Sequence, residues 1–190
     1  DSTVHNTSSE GIQFNYVTNF KIDGVKCWGT GDDCMSIIFY SNNGTISNSN
    51  LQTGDSGWGS SSGIEIEDGS YEIAVVGNIL TGDGATSTGD CIKVVIDSIS
   101  TTLAPHDITI TGNVAQSCVG VGISVTQNKT GATMYNIALN GNIIKNSGGY
   151  GISVSGQPSA TDLYGISITG NGVYGAGNDG ILTNYTDGVN

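Results

Sequence analysis

A small residue followed by alternating apolar positions recurs seven times along this chain. The members are Gly11-Ile12-Gln13-Phe14, Cys34-Met35-Ser36-Ile37, Gly63-Ile64-Glu65-Ile66, Cys91-Ile92-Lys93-Val94, Gly122-Ile123-Ser124-Val125, Gly151-Ile152-Ser153-Val154 and Gly180-Ile181-Leu182-Thr183. Successive small residues stand 23, 29, 28, 31, 29 and 29 positions apart. A second series reads apolar-x-x-Asn, from Val75 to Asn78, Ile110 to Asn113, Leu139 to Asn142 and Ile168 to Asn171. Its earlier members keep the apolar residue but not the Asn, at Ile22 with Val25 and Ile46 with Ser49. From Ser49 onward its steps are 29, 35, 29 and 29.

Alternation with a period of two means strands with one buried face. Two such strands per repeat, separated by Gly, Asn and Ser turns, describe one coil of a solenoid. The chain is therefore expected to be all-β, a right-handed parallel β-helix in which the seven members of the first series each mark one coil. A single coil cannot bury its apolar face. Stacking coils at about 4.8 Å closes a continuous core and completes the ladder hydrogen bonds. The Asn column predicts a ladder of side-chain amides at one turn. No Leu-x-x-Leu-x-Leu signature is present, which excludes a leucine-rich repeat. Length variation is confined to segments 54–62, 82–89, 97–105, 127–133 and 156–162, which are expected to be loops. The whole of residues 1–190 forms one expected domain. No capping helix is predicted at either end, so the stack is read as part of a longer chain or as a homo-oligomer, a trimer or a filament.

Charge narrows the partners. The formal net charge is −12, from 17 acidic and 5 basic residues. Nucleic acid needs a basic footprint, so it is not an expected partner, and no stretch of 18 or more apolar residues predicts a membrane span. The four cysteines, Cys27, Cys34, Cys91 and Cys118, lack the spacing of a zinc site and leave the redox compartment open. The four Asn-x-Ser/Thr sequons, at Asn6, Asn43, Asn128 and Asn184, are what this composition gives by chance. His5 and His106 are read near a terminus and in a loop, with no second ligand for a metal.

The strand column places Gln13, Ser36, Glu65, Lys93, Ser124, Ser153 and Leu182 on an outward face two residues after each small position, read here as a solvent face. The residues just before the small positions, including Glu10, Asp33, Ser62 and Asp90, form a second outward column. Glu10, Asp32, Asp33, Glu65, Glu67, Asp90 and Lys93 thus gather on one face of the first four coils. Carboxylates one coil apart repel, which raises one pKa and pairs a general acid with a general base. The same residues have plainer readings. Asp32 and Asp33 suit a turn, Asp90 is read as capping the same turn as Asp33, and Glu65 with Lys93 suits a surface ion pair of small worth. Clustered carboxylates also suit Ca²⁺, which takes oxygen ligands; no other cofactor or metal is expected. Trp28 and Trp58 fall in the turn region ahead of the acidic column, where they suit either packing or stacking on a sugar ring.

The succession Ser9-Glu10-Gly11-Ile12, Gly31-Asp32-Asp33-Cys34, Ser61-Ser62-Gly63-Ile64 and Asp90-Cys91-Ile92-Lys93 resembles the active face of glycoside hydrolase family 28, the polygalacturonases, within the pectin lyase-like superfamily. The resemblance covers about half the chain. It implies that Glu10 stands for the Asp of the first family motif. It further implies that Asp32 and Asp33 are the paired aspartates of an inverting hydrolysis, one a general acid and another activating water, and that Lys93 takes the place of a substrate-binding Arg. Glu65, Glu67, Asp90, Trp28 and Trp58 complete the expected substrate contacts. Three departures stand out: Ser62 where the family has His, Val95 where it has a second basic residue, and Glu10 one methylene longer than Asp. Phage tailspike-type β-helices share the same coil pattern.

The expected function is therefore an extracellular protein, secreted or on a cell or virion surface, that hydrolyses a polysaccharide or surface glycan through Asp32, Asp33 and Glu10. The alternative is a non-catalytic glycan-binding or structural β-helix, such as a tailspike, adhesin or filament subunit. A uronate lyase or epimerase ranks below both, since it would need Lys93 as proton acceptor.

Overall fold

The computed structural model describes residues 2–54, 61–82, 89–96, 103–157, 163–184 and 186–189. Its strands form three seven-stranded sheets in which every pairing is parallel and joins one coil to the next. The first sheet collects Ser2–His5, Val25–Trp28, Asn50–Gln52, Ile79–Thr81, Val114–Gln116, Ile143–Lys145 and Gly172–Tyr174. The second collects Ile12–Asn15, Met35–Ile38, Ile64–Glu67, Ile92–Val95, Ile123–Thr126, Ile152–Ser155 and Ile181–Asn184. The third holds Thr18–Asp23, Asn42–Ser47, Tyr71–Val76, His106–Thr111, Met134–Asn140, Leu163–Thr169 and Asp187–Val189. The chain visits the sheets in that order and turns a tight corner from the third into the next first-sheet strand. This is the expected right-handed solenoid of seven coils, with three strands per coil where the alternation predicted two. The strand missing from the sequence reading is the first-sheet one. In most coils it has three residues and one buried side chain, such as Leu51, Leu80, Ala115 or Ile144. One buried position has no period.

The core is a pile of like residues. Ile64, Ile92, Ile123 and Ile152 are Cα partners in successive coils and are wholly buried. Ile66, Val94, Val125 and Val154 repeat this two residues on. The column is small because the neighbouring sheet presses on it. A Cβ on Gly151 would stand 2.2 Å from the Val173 side chain, and one on Gly122 would stand 2.4 Å from Ile144. Where Cys replaces Gly in this column the space is used covalently: Cys34 pairs with Cys27 and Cys91 with Cys118, at Cα separations of 5.9 and 5.5 Å.

The tight corner explains the Asn series. The residue ahead of each ladder position is left-handed, with φ of 65° at Gly77 and Gly112, 60° at Gly141 and 64° at Gly170, a conformation that costs glycine little. The next residue is Asn, buried at 78, 113 and 142 and half-buried at 171, and it points along the stack. Asn113 Oδ1 accepts the Asn78 backbone N–H at 2.9 Å, while Asn113 Nδ2 donates to Val75 O at 2.9 Å and Asn142 Oδ1 at 3.0 Å. Asn142 repeats the set with Asn171 and Ile110 O. Ser49 carries the ladder down, donating its N–H to Asn78 Oδ1 and accepting from the Val25 N–H.

On the outside of the third sheet, His106 opens a strand and does not lie in a loop as expected. Its ring stacks between Tyr71 and Tyr135 at 5.0 and 4.6 Å, and Tyr135 stacks on Tyr164. Among the described residues no helix is long and apolar enough to cross a membrane. Trp58 lies outside the described residues, as do 55–60, 83–88, 97–102 and 158–162 of the expected loops.

Candidate functional site

The turn that carries the paired aspartates is a seven-residue step closed by the Cys27–Cys34 disulfide. Thr30 Oγ1 donates to Asp32 O at 2.7 Å, and Asp32 N–H donates to Ser9 O in the coil below at 3.3 Å. From above, Gly54 lies so close that a Cβ there would stand 1.8 Å from Asp32 O. The backbone of the Asp32-Asp33 turn is therefore fixed on three sides.

The two outward columns stack as the spacing requires. Gln13, Ser36, Glu65, Lys93, Ser124, Ser153 and Leu182 are successive Cα partners. The residues ahead of the small column are joined by backbone bonds: Gly11 N–H to Asp33 O, Cys34 N–H to Ser62 O, Gly63 N–H to Asp90 O and Cys91 N–H to Val121 O. Glu10, Asp33, Ser62 and Asp90 thus lie above one another.

The expected solvent face is nevertheless largely closed. Glu65 is 7% exposed, Asp33 3%, and Ser36, Ser62, Ser124 and Ser153 are also buried. The cause is the second column folding over the first. Asp33 accepts the Ser62 N–H and shares a side-chain hydrogen bond with Glu65. Asp90 accepts the Val121 N–H at 2.6 Å with one oxygen and the Ser124 hydroxyl with the other. Asp33 and Asp90 therefore cap the same backbone position one coil up, as their place in the column suggested. The Glu65–Lys93 contact predicted as a surface ion pair is mostly buried, with Nζ 2.6 Å from Oε1 and side chains 9% and 17% exposed.

Burial dominates the electrostatics. It pushes Asp33 far above the ordinary carboxylate range, helped by the hydrogen bond to Glu65 and the charges of Glu65 and Asp32. Asp33 and Glu65 thus share this buried cluster with the Lys93 ammonium, which contacts Glu65. Burial also raises Asp90 against the pull of Ser124, Val121 and Lys93. Asp32, half-buried, is raised by desolvation and then by the charges of Glu10 and Glu65. Glu10 is held by Ser9 Oγ and by Gln13 Nε2 at 3.1 Å. Glu67, at the end of its strand, is half-buried. Among the described residues no group of three or more His, Cys, Asp or Glu is arranged to hold a metal ion. The carboxylates are engaged with backbone amides and with one another. Lys93 is held in this cluster by its contact with Glu65.

Trp28 stands apart from this cluster. It ends the strand Val25–Trp28 of the first sheet instead of occupying the turn, and its ring stacks on His5 at 5.0 Å. It lines a groove of about 320 Å³ with Lys26, Cys27, Asn50, Gln52 and Thr81. The sequence reading missed Lys26, Asn50, Gln52 and Thr81, because the short first-sheet strands that align them were not legible.

The raised carboxyls set a pH dependence of stability. In the unfolded chain Asp titrates near ~3.9. Between that value and the raised folded values of Asp32, Asp33 and Asp90, the folded state binds more protons, so stability falls as pH rises. Asp23, lowered to about 2 by Asn48, Ser47 and Lys21, has the opposite sign, and its contribution is lost only as pH falls below the ordinary range. Thermal melts are therefore expected to give a higher Tm at pH 5 than at pH 8. The gap should be about 5 °C or more, since ~1 kcal/mol moves Tm by roughly 2–4 °C at this size. A Tm that is level or rising across that interval would contradict the raised titration of these carboxyls.

With this geometry in hand, solved structures supply the comparison. The A-module of Azotobacter vinelandii mannuronan C-5 epimerase AlgE4 aligns over 100% of this chain and 56% of its own, with a TM-score of 0.61 and 14% identity. The corresponding AlgE6 A-module gives 0.53 and 15%, covering 98% of this chain and 55% of its own. PfbA, a surface adhesin of Streptococcus pneumoniae, gives 0.53 and 12%, covering 98% and 60%. The chain is a right-handed parallel β-helix. At these identities the likeness is one of fold. The β-helix described here spans little more than half the length of each of those proteins. Its sequence matches no protein-family model and no curated protein.

Proposed function

We propose that this β-helix acts on a polysaccharide outside the cell, hydrolysing a glycosidic bond at the turn that carries Asp32. The observation that carries the reading is that the Asp32 N–H donates to Ser9 O, which sets the Asp32 turn directly on the turn that carries Glu10. Asp32 is half-buried and held above the ordinary carboxylate range by desolvation and by Glu10, while Glu10 is partly open to solvent one coil below. A raised carboxyl beside a second carboxylate is the arrangement that supplies a general acid and a general base. In this reading Asp33, which the resemblance also implied in catalysis, supports the site through its hydrogen bonds with the Ser62 N–H and Glu65. The fold supports a glycan as substrate, since similar β-helices include proteins named as mannuronan epimerases. Two disulfides fit an oxidising, extracellular setting.

The test is reducing-sugar release from a panel of plant, bacterial and algal polysaccharides. Asp32→Asn is expected to lower release about a hundredfold, the smaller end of a general acid's contribution. Release unaffected by Asp32→Asn would remove the assignment. A second reading, a non-catalytic glycan binder, draws support from the burial of Asp33 and Ser62. It predicts glycan binding with no release from any member of the panel.

A further inference from the structure

The first sheet differs in charge from the rest of the molecule. The chain has 17 acidic residues, yet none lies in the seven strands of this sheet. Two of the five basic residues, Lys26 and Lys145, are in those strands, and both are exposed. Among the described residues neither makes an ion pair, whereas Lys21 and Lys93 are paired with Asp23 and Glu65. The strands of this sheet thus form a strip that carries two ammonium groups and no carboxylate, on a protein of net charge −12.

What that strip presents is equally specific. Its outward columns bring together the groove residues Lys26, Trp28, Asn50, Gln52 and Thr81. The second column continues through Gln116 to Lys145 and Tyr174. Trp28 is 40% exposed, one ring face lies on His5, and the other has no aromatic partner among the described residues. The first column, above Lys26 and Asn50, continues through the exposed apolar side chain of Ile79, then Val114, to exposed Ile143. An aromatic face takes the C–H face of a pyranose, amide and hydroxyl side chains meet its hydroxyls, and a lone ammonium takes a carboxylate.

We propose that the exterior of the first sheet is a binding face for an acidic glycan, a uronate chain lying along the helix axis, with a sugar ring on Trp28 and its carboxylate on Lys26. Lys145 lies four coils from Lys26 in the stack, about 19 Å at the usual strand spacing, so it meets a carboxylate further along the same chain. The face is separate from the Asp32 turn and does not depend on any bond being cleaved there.

Calorimetric titration of the full chain with oligogalacturonate and oligomannuronate, against cello- and xylo-oligosaccharides of equal length, tests this. The acidic oligomers are expected to bind at least tenfold more tightly than the neutral ones, and more weakly as salt is raised. Lys26→Gln should cost about tenfold in affinity for the acidic oligomers and leave the neutral ones unchanged. Trp28→Ala should weaken both. The unchanged melting temperature of both variants checks that the fold is intact, since each side chain is exposed. Equal affinity for acidic and neutral oligomers, no binding of either, or acidic binding indifferent to Lys26→Gln overturns the proposal. Loss of binding on Asp32→Asn with none on Lys26→Gln also overturns it, placing the glycan on the acidic turn.

Discussion

Asn113→Ala is expected to destabilise the β-helix by about 3–5 kcal/mol, the range reached when a buried polar network is broken. The side chain is 1% exposed and serves three coils at once. Its removal leaves the Asn78 N–H and side-chain amide without Asn113 Oδ1 and takes the side-chain donor from Val75 O, while Asn142 Oδ1 keeps only the Asn113 backbone N–H. Each stranded buried group costs roughly 1–3 kcal/mol because no water can replace the lost partner. Asn113→Asp is an informative second variant. It keeps the acceptor for Asn78 but replaces the amide donor with an acceptor facing Val75 O and Asn142 Oδ1, so it should be no milder than alanine. The position in the stack matters as well. In a solenoid, stability is a sum over coils and their interfaces, so Asn113, with ladder partners both above and below, should cost more than Asn171, which among the described residues has partners only below, at Leu139 O and Asn142. Chemical denaturation of the three variants measures this. A loss under 1 kcal/mol at Asn113 would mean that the corner is held by the backbone ladder alone.

That ladder was legible in the sequence because stacking in register converts a residue spacing into a vertical neighbour. Once Val75–Asn78 and Ile110–Asn113 are recognised as one series, the geometry follows, and the same holds for Ile64 above Ile92. Two things did not follow. The first-sheet strands carry a single core residue each, Leu80 or Ile144, so no periodicity marks them, and the groove around Trp28 was hidden with them. The burial of Glu65 and Asp33 was hidden for another reason. Alternation states which way a side chain leaves the sheet, and Glu65 does leave it outward. It does not state what then covers the side chain. Here the cover is Asp33, reaching over from the neighbouring column to Glu65, and Asp90 doing the same to Ser124. Paired aspartates at a turn read as catalytic or as turn formers on equal terms. Only the hydrogen bonds divide Asp33, turned inward, from Asp32, left half-open.

The same inward turn makes Lys93 the most consequential charge in the molecule. Lys93→Met is expected to cost about 3 kcal/mol or more at pH 8, since removing one partner of a buried pair leaves the other uncompensated. Glu65 would then remain in hydrogen-bond contact with Asp33 and close to Asp90, without the ammonium that now faces it. The folded protein has one escape, which is to take up a second proton on this cluster. The cost should therefore shrink as pH falls toward 5, where a proton is cheaper to bind. Glu65→Gln in the Lys93→Met background removes the stranded charge and should recover most of the loss at pH 8, because a neutral polar or apolar pair of similar volume is often as stable as the ion pair it replaces. The double variant also separates structure from chemistry. If it is stable and still releases sugar from a polysaccharide, Lys93 and Glu65 belong to the framework that holds the Asp32 turn. If it is stable but inactive, Lys93 contacts substrate as the family resemblance implied. A Lys93→Met variant within 0.5 kcal/mol of the parent at pH 8 would mean that water reaches the pair freely, and the closed acidic column would have to be abandoned.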